Sequence, residues 1–159
     1  MATSIKDLLE ILKAQKKSNK VYMGMETAVY TRHFIYAQEM LKNDKIGRIQ
    51  LLRGAHYQDM EKWPSYWMGL PPMHYATHAI SPVLALANTH AKSVHCFGSG
   101  VMRKELINQY NNPYPVETAI FELEYDTPLA AEVTRSLFHT ARDYTCLLYT
   151  SPSPRDLST

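Results

Sequence analysis

The sequence predicts an α+β protein in which helices cover one face of an open-faced, mostly antiparallel sheet. A helix pair is followed by several long strand-like segments, without the continued strand–helix–strand alternation that builds a parallel sheet. The hydrophobic fraction of 45% and the charged fraction of 20% are typical of a globular chain that can bury a core. Together these two observations define the fold class.

The first elements are a helix, a short strand and a second helix. Ser4 and Asp7 predict a start that resembles a capping box. Apolar residues then recur on one face of the predicted helix: Ile5, Leu8, Leu9 and Leu12. Residues 21–27 predict a short buried strand, and residues 31–41 predict the second helix.

The middle of the chain predicts a strand, a loop and a helix. Residues 48–58 have the composition of a strand. Residues 60–72 contain both tryptophans and three prolines, so we expect an irregular loop that packs over another part of the protein. Residues 73–88 predict a helix, which Pro82 either kinks or divides into two segments.

The remaining elements are strands. Residues 93–101 are strand-like, and a polar loop follows them. Residues 117–125 and 130–140 predict the two arms of a hairpin. Its turn is predicted from residues 126–128, an Asp-Thr-Pro sequence.

Several classes of protein are excluded by composition. The formal net charge is only +2, and the lysines are scattered, so neither nucleic acid nor an anionic membrane is an expected partner. No apolar run approaches the roughly 20 residues that span a bilayer. Lys6, Asp7 and Glu10 interrupt any signal peptide. Cys96 and Cys146 form no disulfide framework, so we expect a cytoplasmic location.

The end of the chain differs from the rest. Residues 146–156 (CLLYTSPSPRD) resemble the translation of an adapter used in transposase-based sequencing libraries. Residues 146–159 are therefore expected to be a non-native, disordered tail, and Cys146 is not expected to have a functional role.

The strongest candidate site contains His74 and His78. On one helix these residues would share a face, where two imidazoles could bind a metal or transfer protons near neutral pH. The metalloprotease arrangement has Glu after the first histidine, and Tyr75 occupies that position. His56 or Asp59 could supply a third ligand, but no spacing fixes it. We therefore expect no metal, and hydrogen-bonded structural histidines are the simpler alternative.

Two other segments place polar side chains where ligands often bind. His56 lies near the end of a predicted strand, just before the aromatic loop. Glu26 and Tyr30 lie between the short strand and the second helix, where the residues by themselves favour a capped helix start. No G-x-G-x-x-G fingerprint or phosphate-binding P-loop occurs, so the chain has no recognisable dinucleotide site of its own.

Three segments resemble one family of enzymes when their order and spacing are considered together. They are residues 44–49 (DKIGRI), 54–59 (GAHYQD) and 75–82 (YATHAISP). Over residues 1–145 the chain resembles the oxidoreductases typified by glucose–fructose oxidoreductase, inositol dehydrogenase and MocA. The resemblance implies that residues 1–27 are the last helix and strand of a Rossmann domain. Residues 28–145 would then form an incomplete substrate and oligomerisation domain.

Within that family the chain most resembles NAD-dependent glycosidases of the α-N-acetylgalactosaminidase type. Residues 75–82 are similar to their Tyr-Pro-Thr-His-Gly-Leu-Gly-Pro segment, although Ala76 replaces the proline. The resemblance implies that His78 is the catalytic histidine and that His74 orients it. It also implies that the sugar and nicotinamide pocket is lined by four further residues: Glu26, Tyr30, His56 and Tyr75.

The function implied by this resemblance is hydride transfer between a sugar or sugar-like polyol and NAD or NADP. The cofactor would be bound mainly by an N-terminal domain outside this chain, and the chain alone would be inactive. A homo-oligomer through the sheet is implied as well. Two alternatives remain: an NAD-dependent glycosidase that uses transient oxidation and elimination, and a non-enzymatic self-association domain.

Overall fold

The structure, a computed structural model, describes residues 2 and 4–150, with side chains as far as residue 139. Its helices are α1 (Ile5–Ser18), α2 (Arg32–Lys42) and α3 (Thr77–Ala87). Its strands are β1 (Ile49–Asp59), β2 (Ala91–Ser99), β3 (Val116–Leu123), β4 (Leu129–Ser136) and β5 (Phe138–Thr150). Short 3₁₀ segments occupy Thr27–Tyr30, Pro72–Tyr75 and Lys104–Leu106.

The five strands form one sheet in the order β2-β3-β4-β1-β5. β1 pairs with β4 in parallel and with β5 in antiparallel orientation, and the β2–β3 and β3–β4 pairs are antiparallel. The predicted α+β class, with an open and mostly antiparallel sheet, is therefore confirmed.

The predicted hairpin forms, but its second arm is shorter than expected. β3 and β4 pair from Val116↔Ser136 to Leu123↔Leu129. The chain then bends at Leu137, which is fully buried, and its carbonyl accepts from the Met60 N–H at 2.8 Å. Because of this bend, β4 and β5 lie on opposite sides of β1 instead of forming one strand over residues 130–140.

The strand predicted for residues 21–27 is wrong. Residues 21–26 have no regular structure, and Val21 (94% exposed) and Met25 (75% exposed) project into solvent. A strand needs a neighbour to complete its backbone hydrogen bonds, and none of the five strands of the sheet pairs with this segment.

The first helix begins as predicted. The Ser4 hydroxyl accepts from the Asp7 backbone N–H at 3.1 Å and donates to the Asp7 carboxylate at 2.7 Å. None of the residues of α1 is buried, so its apolar stripe is exposed to solvent. No helix in the described part of the chain has the length and apolar character needed to cross a membrane.

Helix α3 lies directly on β1, an interior strand of the sheet. A Cβ added at Gly54 on β1 would be 2.3 Å from the Ala79 carbonyl oxygen on α3 and 3.0 Å from Val83 Cγ2. Pro82 lies inside α3 and is buried. The main core surrounds this contact and includes Phe34, Leu52, Val83, Ala131 and Val133.

A smaller core forms at the end of β1. Met60, Leu70 and Leu137 are buried there, and Trp63 and Trp67 pack against them. The irregular loop predicted at residues 60–72 therefore does pack over another part of the protein.

Part of the predicted tail belongs to the sheet. The backbone of residues 146–150 continues β5, with Leu148 opposite Leu52 of β1. The expectation of disorder is thus wrong for these residues, because their apolar sequence extends the antiparallel ladder. Residues 151–159 lie outside the described residues.

Candidate active site

His78 stands on the first turn of α3 and contacts the segment that follows residues 21–25. Its Nδ1 is 2.5 Å from Glu26 Oε1, and the two side chains are only 20% and 17% exposed. Glu26 reaches this position because it caps the 3₁₀ segment Thr27–Tyr30 by accepting from the Ala28 N–H at 2.9 Å. That segment packs on α3. The capped turn predicted here thus exists and also delivers a carboxylate to the histidine.

Glu26 is held in its ionised form. Partial burial by itself would raise its pKa, but hydrogen bonds from the Ala28 N–H, His78 and Thr77 lower the pKa below its ordinary value. A carboxylate can only accept hydrogen bonds, so Nδ1 of His78 carries the proton that lies between them. In the neutral imidazole the lone pair is therefore on Nε2.

Tyr75 faces that second nitrogen. Its hydroxyl is 3.1 Å from His78 Nε2, and with the lone pair on Nε2 the phenol is the donor. Glu26, His78 and Tyr75 therefore form a continuous hydrogen-bonded series in which the carboxylate orients the imidazole. This is the arrangement that general bases require.

His56 completes the group. It is fully buried, and its ring lies edge-on to the rings of His78 and Tyr75, with centroids 5.2 Å and 5.6 Å apart. The Trp67 ring lies 4.8 Å from that of Tyr75 on the side of the aromatic loop. The structure thus brings together Glu26, His56, Tyr75 and His78, four of the six predicted site residues.

The other two predicted residues lie apart from this group. His74 is exposed, and its ring contacts Tyr110 at 6.0 Å. It belongs to the 3₁₀ segment Pro72–Tyr75, while α3 begins only at Thr77. The prediction that His74 and His78 share a helical face is therefore wrong. Tyr30, at the end of its 3₁₀ segment, is 66% exposed.

Arg135 and Gln58 lie beside the candidate site, and neither is among the six predicted site residues. Arg135 is fully buried, and its Nε donates to the Tyr75 carbonyl oxygen at 2.9 Å. Gln58, which is 4% exposed, accepts from Arg135 Nη2 at 2.9 Å. An arginine in a strand 60 residues from its partner carries no local signal, because arginine is normally a surface residue.

Metal ligands are not assembled here. Within residues 2 and 4–150, as far as side chains are described, no group of three or more His, Cys, Asp or Glu side chains could hold an ion. The site is instead a set of proton-carrying groups beside apolar and aromatic side chains, which can accept a proton from a hydroxyl group.

Comparisons with known proteins place the fold. No protein-family model matches the chain, and no curated protein sequence does. Solved structures do match, among them myo-inositol 2-dehydrogenase from Lactobacillus plantarum, with a TM-score of 0.77 and 15% identity. The alignment covers 93% of this chain and 45% of that enzyme.

Two further matches have the same character. Scyllo-inositol dehydrogenase from Lactobacillus casei, with bound NAD(H) and scyllo-inositol, matches with a TM-score of 0.74 at 13% identity. The alignment covers 96% of this chain and 46% of the enzyme chain. UDP-N-acetylglucosamine 3-dehydrogenase from Acidithiobacillus ferrooxidans matches with a TM-score of 0.64 at 14% identity, and the alignment covers 93% of this chain and 44% of the enzyme chain. The chain therefore spans less than half the length of these structures, and it has the fold of the C-terminal domain of such oxidoreductases.

Proposed function

We propose that this chain is the substrate-side part of an NAD(P)-dependent oxidoreductase that oxidises an alcohol carbon of a sugar or polyol. The observation that carries the proposal is the His78 imidazole, held at Nδ1 by an ionised Glu26 and partly open to solvent. The substrate class is supported by the matched structures, one of which contains NAD(H) and scyllo-inositol. The three enzymes named above are dehydrogenases, so net oxidation is proposed in preference to the glycosidase alternative.

The residues of this chain accept and transfer the proton of the substrate hydroxyl group. NAD(P), when bound, accepts the hydride from the alcohol carbon. The hydroxyl proton has to leave at the same time, and His78 Nε2 is its acceptor, with the Tyr75 hydroxyl lying on the route. The imidazolium that forms is stabilised by the Glu26 carboxylate at 2.5 Å. His56, buried beside both rings, limits how far they can turn.

The dinucleotide needs more protein than this chain supplies. The sequence has no glycine fingerprint, so the pyrophosphate would be bound by a domain that lies mostly outside the chain, and residues 1–27 would be the part of that domain present here. Glu26 and the exposed Tyr30 would contact the nicotinamide end. The exposed apolar residues of α1, including Ile5 (78% exposed), support a further domain that covers this helix.

Residues 28–145 would form the substrate and oligomerisation domain. Two exposed apolar side chains on one face of the neighbouring strands β2 and β3 support association of the intact protein through the sheet. They are Phe97 and Ile120, which are 63% and 39% exposed.

The experiment that tests the proposed function uses the intact protein that contains this chain. Formation of NADH or NADPH is followed with myo-inositol and scyllo-inositol as probes, in wild type, His78→Ala and His95→Ala. His95 is an exposed histidine on β2 and serves as the matched control. We expect His78→Ala to lower turnover at least about 100-fold and His95→Ala to leave it unchanged. Equal turnover in all three proteins would reject the role of His78.

A further inference from the structure

Arg135 is a buried cation whose whole donor set faces acceptors next to the site. A guanidinium carries five N–H donors in a rigid fork, and this one is fully buried at the end of β4. Nε donates to the Tyr75 carbonyl at 2.9 Å. Nη1 donates to the carbonyls of His56 and Ser136. Nη2 donates to the amide oxygen of Gln58 and to the thioether sulfur of Met60.

Two of these acceptors belong to residues of the catalytic group. Arg135 holds the Tyr75 main chain, and its guanidinium also lies 5.5 Å from the centre of the Tyr75 ring. It holds the His56 carbonyl at 3.1 Å. Arg135 is itself fixed to the sheet, because it pairs with His56 across the parallel β1–β4 ladder.

Tyr75 needs such an anchor because its own segment is short. It ends the four-residue 3₁₀ segment Pro72–Tyr75, and Ala76 separates it from α3. The orientation of the hydroxyl toward His78 is therefore not set by a long helix. The guanidinium fixes both the carbonyl and the ring face of Tyr75, which together determine where the hydroxyl points.

We propose that Arg135 is a positioning residue that holds the Tyr75 hydroxyl against His78 Nε2. The role in catalysis rests on the proposed function, but the positioning itself does not. A well-packed apolar side chain would avoid the cost of desolvating a cation, so a purely space-filling role does not explain an arginine here. Lysine would retain the charge but not the planar fork. Its single ammonium cannot bond the Tyr75 carbonyl and Gln58 in the geometry that the fork gives.

The first test is a double-mutant cycle in the intact protein, with myo-inositol and NAD as the probe pair. Arg135→Lys and Tyr75→Phe are each expected to lower kcat about 10- to 100-fold, with a much smaller change in KM. If Arg135 acts through the Tyr75 hydroxyl, the double variant is no slower than Tyr75→Phe. Effects that multiply in the double variant would overturn the proposal.

A matched control separates positioning from stability. Val133→Ala removes a fully buried side chain on the same strand, two positions before Arg135. We expect it to lower the melting temperature but to leave kcat unchanged. If Val133→Ala slows the reaction as much as Arg135→Lys does, the effect of Arg135 is one of general stability and the proposal is wrong.

A second variant covers the case in which Arg135→Lys does not fold. Gln58→Met removes one oxygen acceptor from Nη2 at similar side-chain volume. It is expected to lower kcat severalfold in the wild-type background and to have no effect in the Tyr75→Phe background. An equal effect in both backgrounds would contradict the proposal.

The last readout needs no activity. In the chain of 159 residues, nitrogen NMR of the His78 ring should show the Nε2 signal moving to the same new position in Arg135→Lys and Tyr75→Phe, but not in Val133→Ala. If this signal moves while the intact wild type oxidises no polyol, the proposed function fails and the positioning role stands. If the wild type is active and Arg135→Lys leaves the signal unmoved, the positioning role fails alone.

Discussion

Replacement of Gly54 by alanine should displace α3, the helix that carries His78. The new Cβ would be 2.3 Å from the Ala79 carbonyl oxygen, whereas ordinary contact begins at 3.4 Å, so α3 has to move by about 1 Å. Ala79 is the residue after His78, and this movement therefore changes the distance between His78 and Glu26. Overpacking of this kind costs about 1–3 kcal/mol. For a chain of this length that corresponds to a fall in melting temperature of about 3–10 °C.

The sequence offers a matched control at Gly24. A Cβ there would meet no atom within 4 Å, so Gly24→Ala lacks the clash. Alanine also restricts the unfolded chain, which by itself stabilises a protein by up to about 1 kcal/mol. The difference between the two variants therefore isolates the contact between β1 and α3.

The assay is urea denaturation of both variants and the wild type. We expect the Gly54→Ala midpoint to fall well below that of Gly24→Ala, with similar slopes. If the proposed function is correct, a shift of about 1 Å at His78 should also lower the turnover of the intact protein about 100-fold. If Gly54→Ala is as stable as Gly24→Ala, α3 does not pack closely on β1. The reason given for the position of His78 is then wrong as well.

Other expected outcomes concern the site carboxylate, a helix end and the core. The Glu26 pKa is lowered from its ordinary 4.5, so Glu26 contributes stability that is full above that value and is lost as the pH falls through the lowered pKa. Glu26→Gln should reduce the difference in unfolding free energy between about pH 3 and about pH 7. Asn88, which ends α3 at φ 52°, should tolerate glycine within a few tenths of a kcal/mol, while valine should cost about 1–2 kcal/mol in thermal unfolding. Leu52→Ala, at a fully buried position, should cost about 2–5 kcal/mol in urea denaturation; no loss of stability would contradict the assigned core.

Elements with local signals were predictable from the sequence. The start of α1 follows from Ser4 and Asp7, whose hydrogen bonds involve residues only three positions apart. The β3–β4 hairpin follows from two strand-like segments with an Asp-Thr-Pro turn between them. In both cases the interacting groups are close in sequence, so residue pattern and turn chemistry are sufficient.

Elements that depend on distant partners were not predictable. Residues 21–27 have the composition of a strand, but a strand forms only beside another strand. The placement of β4 parallel to β1 joins positions such as Arg53 and Glu132, 79 residues apart, and no local pattern indicates it. The hydrogen bonds of Arg135 were not predictable for the same reason, because its partners in β1 come close to it only when the β1–β4 ladder forms.

Four of the six candidate site residues, His78, Glu26, His56 and Tyr75, lie together in the structure. Their roles in catalysis stay a prediction. His74 does not join them, because the chain takes a 3₁₀ turn before α3 instead of one continuous helix. Histidine spacing alone cannot distinguish those two backbones.

In the proposed mechanism, Glu26 holds the proton on His78 Nδ1, and the unprotonated Nε2 takes up the substrate proton by way of the Tyr75 hydroxyl. Nitrogen NMR of the neutral His78 ring in the folded chain tests this claim most directly. We expect the tautomer in which Nδ1 is protonated and Nε2 is unprotonated and accepts from the Tyr75 hydroxyl. A ring protonated on Nε2 would contradict it, because no lone pair would then be available to accept the hydroxyl proton.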